Sequence, residues 1–271
     1  MKKITQDAAF ILHHYDWSES SVIVEVFSSQ LGRISLVAKG AKKPTSNFRA
    51  VLLPLQRLEL SYSLPDAAEG GDIGTLKAAH WVSGYTLPQG DALLAGFYAN
   101  ELLLKLLPKQ DPQPALFDHY ASCVALLAHQ GKTGAAASAN TAALQGQTAW
   151  ILRAFELLLL RHLGLLPDLR QSASGHALQS TDSSALHLQA ERGLCAAHTE
   201  AEHALALPAS CWLALAQGLA KPAPFAALLP LFLTWPTAQR NALRNNLRHL
   251  LHEYIGAPLK TRQLMVALQG L

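Results

Sequence analysis

Between residues 8 and 82 the chain repeats one short pattern: AFILHHY, SVIVEVFS, RISLVAKG, AVLLPLQRLELSYS and GTLKAAHWV. Each run is rich in β-branched or aromatic residues and is bounded by Gly, Ser, Asp or Pro, the composition of short strands. In the second run Val22, Val24 and Val26 alternate with Ile23, Glu25 and Phe27, which predicts a sheet with one face well buried. SQLG at 29–32 is a tight connection to the third run. Five strands within about 80 residues, with the longest connection between the third and fourth, match the size of a five-stranded closed barrel of the OB type. An SH3-like barrel is the alternative.

After Pro88 the pattern changes to helix. QGDALLAGFYANELLLKLLP at 89–108 opens with Asp91 as a cap and ends at Pro108, and PALFDHYASCVALLAHQG at 114–131 is stopped by Gly131. GKTGAAASANTAALQGQ at 131–147 reads as a flexible connection whose last part can join a helix at about 147–163, closed by Gly164 and Pro167. Residues 168–207 are polar, irregular and rich in Ser, Ala and His, and read as a loop or small subdomain. Three helices follow, in ASCWLALAQGLA, PFAALLPLFLTW and TAQRNALRNNLRHLLHEYIG, the last with Gly256 and Pro258 just beyond it. The expected fold is therefore α+β and multi-domain: a barrel in residues 1–82, then an α-helical domain in 83–271 with an irregular subdomain at about 168–207.

Half of the 271 residues are hydrophobic and 15% are charged, enough for a sizeable core. Three cysteines and an N-terminus without the apolar core of a secretory signal suit a reducing cytoplasm. The most apolar stretch, AWILRAFELLLLRHLGLL, carries Arg153, Glu156, Arg161 and His162, which favours a buried helix over a membrane span.

Net charge is only +3, yet LGRISLVAKGAKKPTSNFRAVLLPLQR holds six cations: Arg33, Lys39, Lys42, Lys43, Arg49 and Arg57. No acidic residue lies between Glu25 and Glu59. Lysines can simply keep a loop soluble, but ordinary surfaces mix both signs, so an acid-free run favours a polyanion such as nucleic acid. Phe48 is a candidate stacking surface in that loop. A secondary basic face is available where Arg240, Arg244 and Arg248 stand four apart on the last long helix, followed by Lys260 and Arg262.

His249 and His252 have a spacing that two metal-bound imidazoles can use, and a metal hydrolase built on them is one reading, but no carboxylate or thiol accompanies them. GKTG at 131 lacks a preceding strand and the spacing of a phosphate loop. The G-x-S-x-G, G-x-x-x-x-G-K-[ST] and G-x-G-x-x-G patterns are absent, and nothing in the residues argues for an enzyme.

AFILHHYDWSESSVIVEVFSSQLGRISLVAKGAKKP resembles the opening of the bacterial RecO recombination mediators, with the W-S-E-S-S turn, the F-S-x-x-x-G-R connection and the V-A-K-G-A-K strand end in order. The resemblance continues at LLPLQRLELSYS, AGFYANELLLKLLP, LRAFELLLLRHLGLLPDL and YIGAPLKTRQLM. It implies an OB fold joined to a helical domain in a non-enzymatic, cytoplasmic, nucleoid-associated DNA repair protein of the RecF pathway. Such proteins bind single- and double-stranded DNA, anneal complementary strands coated by single-stranded DNA-binding protein, and with RecR help load RecA. By position, Arg33, Lys39, Lys42, Lys43, Arg49 and Arg57 belong to the DNA surface. Arg153 and Phe155 are candidates for a groove that takes the acidic tail of single-stranded DNA-binding protein. The alternative is an adaptor that binds that tail without DNA affinity of its own. Many relatives hold a structural zinc with two cysteine pairs. Here Gln171 and Ser174 stand at the first pair and Cys195 and His198 at the second, so two of four ligands are missing and no metal or other cofactor is expected.

Overall fold

The computed structural model describes the chain apart from residues 1, 66–71, 85, 135–140, 183, 270 and 271, and describes only the backbone of 131–134, 141–146 and 265–269. It contains two compact units, residues 1–148 with 259–271, and residues 149–258.

The first unit begins with β1 (Lys2–Asp16), β2 (Val22–Ser28), β3 (Gly32–Ala38), a short helix α1 (Asn47–Val51), β4 (Arg57–Leu64) and β5 (Ile73–Trp81). The strands close into a barrel in the order β1-β2-β3-β5-β4, with β3 parallel to β5 and every other pair antiparallel. This is the OB arrangement rather than the SH3-like alternative. Alternating residues fill it, among them Ile11, Val24, Val26, Ile34, Leu36, Leu58, Leu60 and Tyr62.

Two local readings change. The apolar run at 50–56 was expected to open the fourth strand. Instead Ser46, whose Oγ accepts from the Phe48 amide at 3.3 Å, starts α1, and the strand begins only at Arg57. β2 is buried on both faces rather than one. The reason is α3 (Pro114–Gly134), which with α2 (Asp91–Leu106) belongs to this unit. Phe117 of α3 lies 5.5 Å from Phe10 and 5.4 Å from Phe27 between ring centroids, and Tyr120 meets Phe10 edge-on at 4.9 Å. The pairing of β1 with β2 shifts register between Ile11 and His13, and Asn100 of α2 donates to both the Ile11 and Leu12 carbonyls there while accepting from the Tyr120 hydroxyl. A buried backbone irregularity thus finds its partners on the helix that covers it.

The last helix, α9 (Lys260–Gln269), is also part of this unit and is held by Glu101 of α2. The Glu101 carboxylate accepts from the Lys260 amide at 2.8 Å, the Thr261 amide at 2.9 Å and the Thr261 hydroxyl at 2.5 Å. Burial pushes this carboxyl up, but the Thr261 hydroxyl, the two amides and nearby Lys105 outweigh it and leave it below its ordinary value of 4.5. A depressed carboxyl stabilises the fold above its unfolded value and loses that contribution as pH falls through the folded one. The difference in urea midpoint between wild type and Glu101→Gln is therefore expected to be constant at neutral pH and to shrink once pH drops below about 4.5. A difference that grew in acid would refute the clamp.

The second unit contains the end of α4 (Thr141–His162), strands β6 (Ala185–Gln189), β7 (Gly193–Ala196) and β8 (Leu207–Pro208), and helices α5 (Glu200–His203), α6 (Ala209–Leu219), α7 (Pro224–Thr234) and α8 (Thr237–Ile255). The segment expected to be irregular thus carries a three-stranded sheet in the order β7-β6-β8. Helices anchor it. The Trp212 indole donates to the Leu186 carbonyl at 3.1 Å, and the buried Asn246 side chain accepts from the Leu188 amide at 2.7 Å and donates to the Leu205 and Ala242 carbonyls. The expected flexible connection falls partly on 135–140, outside the described residues.

Candidate nucleic-acid interface

β1, β3 and β5 run in one direction and β2 and β4 in the other. One end of the barrel therefore collects the 17–21 turn, the 39–56 segment with α1, and the end of β5. These pieces are bonded together. The Lys42 amide donates to the Ser20 carbonyl at 3.0 Å, the Gly40 amide to Ser21 Oγ at 3.3 Å, and the Trp81 indole to the Val51 carbonyl at 2.9 Å. His14 Nε2 lies 2.7 Å from the Leu52 carbonyl. Burial lowers the His14 pKa, against the effect of that carbonyl and with that of His13, so the ring stays neutral near pH 7. Gly40, at φ +73°, makes the turn that sends the chain from β3 into this segment.

The six cations of the run separate into two kinds. Lys39, Lys43 and Arg49 are exposed at this barrel end, and the chain from 26 to 58 brings no carboxylate to it. The side chains of the other three are engaged by the protein itself. Arg33 lies 3.6 Å from the buried Glu25 carboxylate, which also accepts from Ser35 Oγ at 2.5 Å, and so answers a charge inside the fold. Arg57 sits over the Phe117 ring at 5.9 Å. Lys42 Nζ lies 2.7 Å from Asp16 and donates to the Ser18 carbonyl at 2.9 Å. Phe48 is half-buried against the barrel core instead of standing free to stack. Reading the residues alone missed the aromatic groups that are exposed here: Tyr15 at 48%, Trp17 at 60% and Trp81 at 53%. The signal was present in YDWSESS, where large aromatics flank and enter a Ser-rich turn.

Part of the secondary basic face is engaged in packing. Arg240 lies over the Trp150 ring at 5.9 Å and donates to Thr237 Oγ1 at 3.2 Å, while Arg244 and Arg248 are exposed. Lys260 is exposed and Arg262 half-buried on α9, in the other compact unit. Of the residues expected at the partner groove, Phe155 is wholly buried, and Arg153 is half-buried and paired with the buried Glu156 at 2.6 Å.

The turn at Gln171–Gly175 is closed by hydrogen bonds. The Ser172 amide donates to the His176 carbonyl at 2.9 Å, the Gly175 amide to the Ser172 carbonyl at 2.8 Å, and Ser174 Oγ lies 2.8 Å from His176 Nδ1. Cys195 is buried with its thiol toward Gln189, and His198 is exposed. Among the described residues no group of three or more His, Cys, Asp or Glu side chains is placed to hold a metal ion, and no helix is long and apolar enough to cross a membrane.

Fold and site together define an OB-barrel protein with exposed cations and aromatics at the end of the barrel where β1, β3 and β5 finish. Residues 1–85 match the family model for the N-terminal part of recombination protein O, and residues 87–263 match that for its C-terminal part. The chain is 47% identical over 273 residues to the DNA repair protein RecO of Variovorax paradoxus, covering 99% of this chain and 98% of that protein. It is 49% identical over 272 residues to the RecO of Verminephrobacter eiseniae, covering 100% and 98%. The chain belongs to the RecO family of DNA repair proteins, and its role lies in recombination and repair.

Proposed function

We propose that this chain is a non-enzymatic, cytoplasmic recombination mediator. It binds single- and double-stranded DNA through the barrel domain, residues 1–82, anneals complementary strands and, with RecR, helps load RecA at the nucleoid. The tail of single-stranded DNA-binding protein is a further partner in this reading. The observation that carries it is the barrel end where Lys39, Lys43 and Arg49 stand exposed on a segment free of acid. Cations spread along such a surface neutralise successive phosphates and release their counterions. Exposed Arg244 and Arg248 are candidates for a second, weaker contact.

The test is strand annealing. Two complementary oligonucleotides, one with a fluorophore and one with a quencher, are coated with single-stranded DNA-binding protein and mixed with and without this protein. Annealing is expected to be slow without it and accelerated several-fold with it. No acceleration, on coated or bare strands, would overturn the proposal.

A further inference from the structure

Tyr15, near the end of β1, and Trp17, the first residue of the 17–21 turn, sit on a turn that is well fixed by hydrogen bonds. Trp17 and Ser18 both donate their amides to the Ser21 carbonyl at 3.3 Å, and the Ser21 amide donates back to Ser18 Oγ at 3.2 Å. From the next segment Lys42 holds the same turn three times: its amide on the Ser20 carbonyl at 3.0 Å, its Nζ on the Ser18 carbonyl at 2.9 Å, and the same Nζ 2.7 Å from the Asp16 carboxylate. Tyr15 is braced separately by His13, edge-on at 4.6 Å between ring centroids. Tyr15 pairs with Ile23 of β2, and Ile23 pairs with Val37 of β3, so the exposed ring lies in one row with the strand that delivers Lys39.

Rings left in water on an ordered turn forgo burial, and their ordering is useful to a flat partner that needs no further adjustment. The neighbouring cations, Lys39 and Lys43, identify that partner as a polyanion with exposed π faces, which is a nucleic acid with unpaired bases. Asp16 ends β1 beside the turn, but its charge is answered by Lys42, leaving Glu19 as the acid there without that brace.

We infer that Tyr15 and Trp17 form a base-stacking element that adds affinity for unpaired strands, and that Lys42 is its positioning residue rather than a phosphate ligand. The inference rests on the DNA-binding reading above and divides the labour within one short segment. Lys39, Lys43 and Arg49 bind phosphate on any strand. Tyr15 and Trp17 discriminate, because a base inside a duplex has no free face to offer.

Fluorescence anisotropy over a salt series, with a labelled oligo-dT of about 16 nucleotides and a duplex of the same length, separates these roles. Trp17→Ala is expected to weaken oligo-dT binding by about tenfold, with the slope of log K against log salt unchanged and duplex affinity within about twofold of wild type. Trp17→Phe should restore most of the loss, since the π face returns. Lys42→Ala should behave as Trp17→Ala does, whereas Lys43→Ala should flatten the slope for both ligands. Oligo-dT should also quench tryptophan emission in the wild type, and less so in Trp17→Phe. The inference is overturned if Trp17→Ala weakens both ligands equally or neither, or if Lys42→Ala flattens the slope as Lys43→Ala does. Failure of the wild type to bind either ligand would instead remove the DNA-binding reading itself.

Discussion

Asp7→Ala is expected to lower the unfolding free energy by about 3 kcal/mol, a large fraction of what a domain of this size possesses. Asp7 is wholly buried inside the barrel, where its carboxylate accepts from Ser28 Oγ at 2.5 Å, Tyr62 Oη at 2.7 Å and Ser29 Oγ at 3.0 Å. Ser28 Oγ in turn accepts from the amides of Gln30 at 3.2 Å and Leu31 at 2.9 Å. One carboxylate therefore ties β1, β4 and the β2–β3 turn together. Removing it leaves two buried hydroxyls with only each other, 3.4 Å apart, so at least one donor is stranded, and a stranded donor in an apolar barrel costs more than the bond it made. The same logic supplies the control. In a Tyr62→Phe, Ser28→Ala background neither buried hydroxyl is left to strand, so Asp7→Ala should cost clearly less there than in the wild type. Urea unfolding of the four proteins measures the difference. Equal costs in both backgrounds would show that the network is not what makes Asp7 matter.

Tyr62 adds a pH signature to this network. Its phenol is pushed up by burial and by Asp7, against the effect of Ser28. A raised phenol contributes stability that is complete below its unfolded value and is lost as pH rises, so the barrel should weaken above about pH 10, and Tyr62→Phe should weaken less over the same range.

The barrel was legible in the sequence because its strands are β-branched or aromatic runs bounded by turn residues, so even the position of the long connection followed. α1 was not legible, because AVLLPL is as apolar as a strand and only the Ser46 cap marks a helix start. The sheet of β6, β7 and β8 was missed for a different reason. Its strands run five, four and two residues, too short for a period to show, and their bonds go to Trp212 and Asn246, far along the chain. Burial of both faces of β2 was equally hidden, since only the placement of Phe117 and Tyr120 reveals it.

The cationic run could be located from sequence, but the partner of each cation could not. Lys42 and Lys43 are neighbours with opposite circumstances: Lys42 is bonded to Asp16 and Ser18, and Lys43 is exposed. Arg33 differs from Lys39 because the Glu25 that it answers lies across the β2–β3 pairing. For Arg153 the sign was local, since Glu156 stands three residues on, where a helix brings the two together.

If the exposed cations at one end of the barrel bind DNA phosphates, the salt dependence of single-strand binding must register it. Lys39→Ala, Lys43→Ala and Arg49→Ala combined in one protein remove three exposed charges without touching the bonds of Lys42, Trp81 or His14 that hold this end together. Each lost phosphate contact on a single strand flattens the slope of log K against log salt by about 0.7, so the triple variant should lose about 2 from its slope. Its affinity at low salt should fall by roughly two orders of magnitude, with the urea midpoint unchanged. A variant that keeps the wild-type slope and affinity would place the DNA surface elsewhere on the chain.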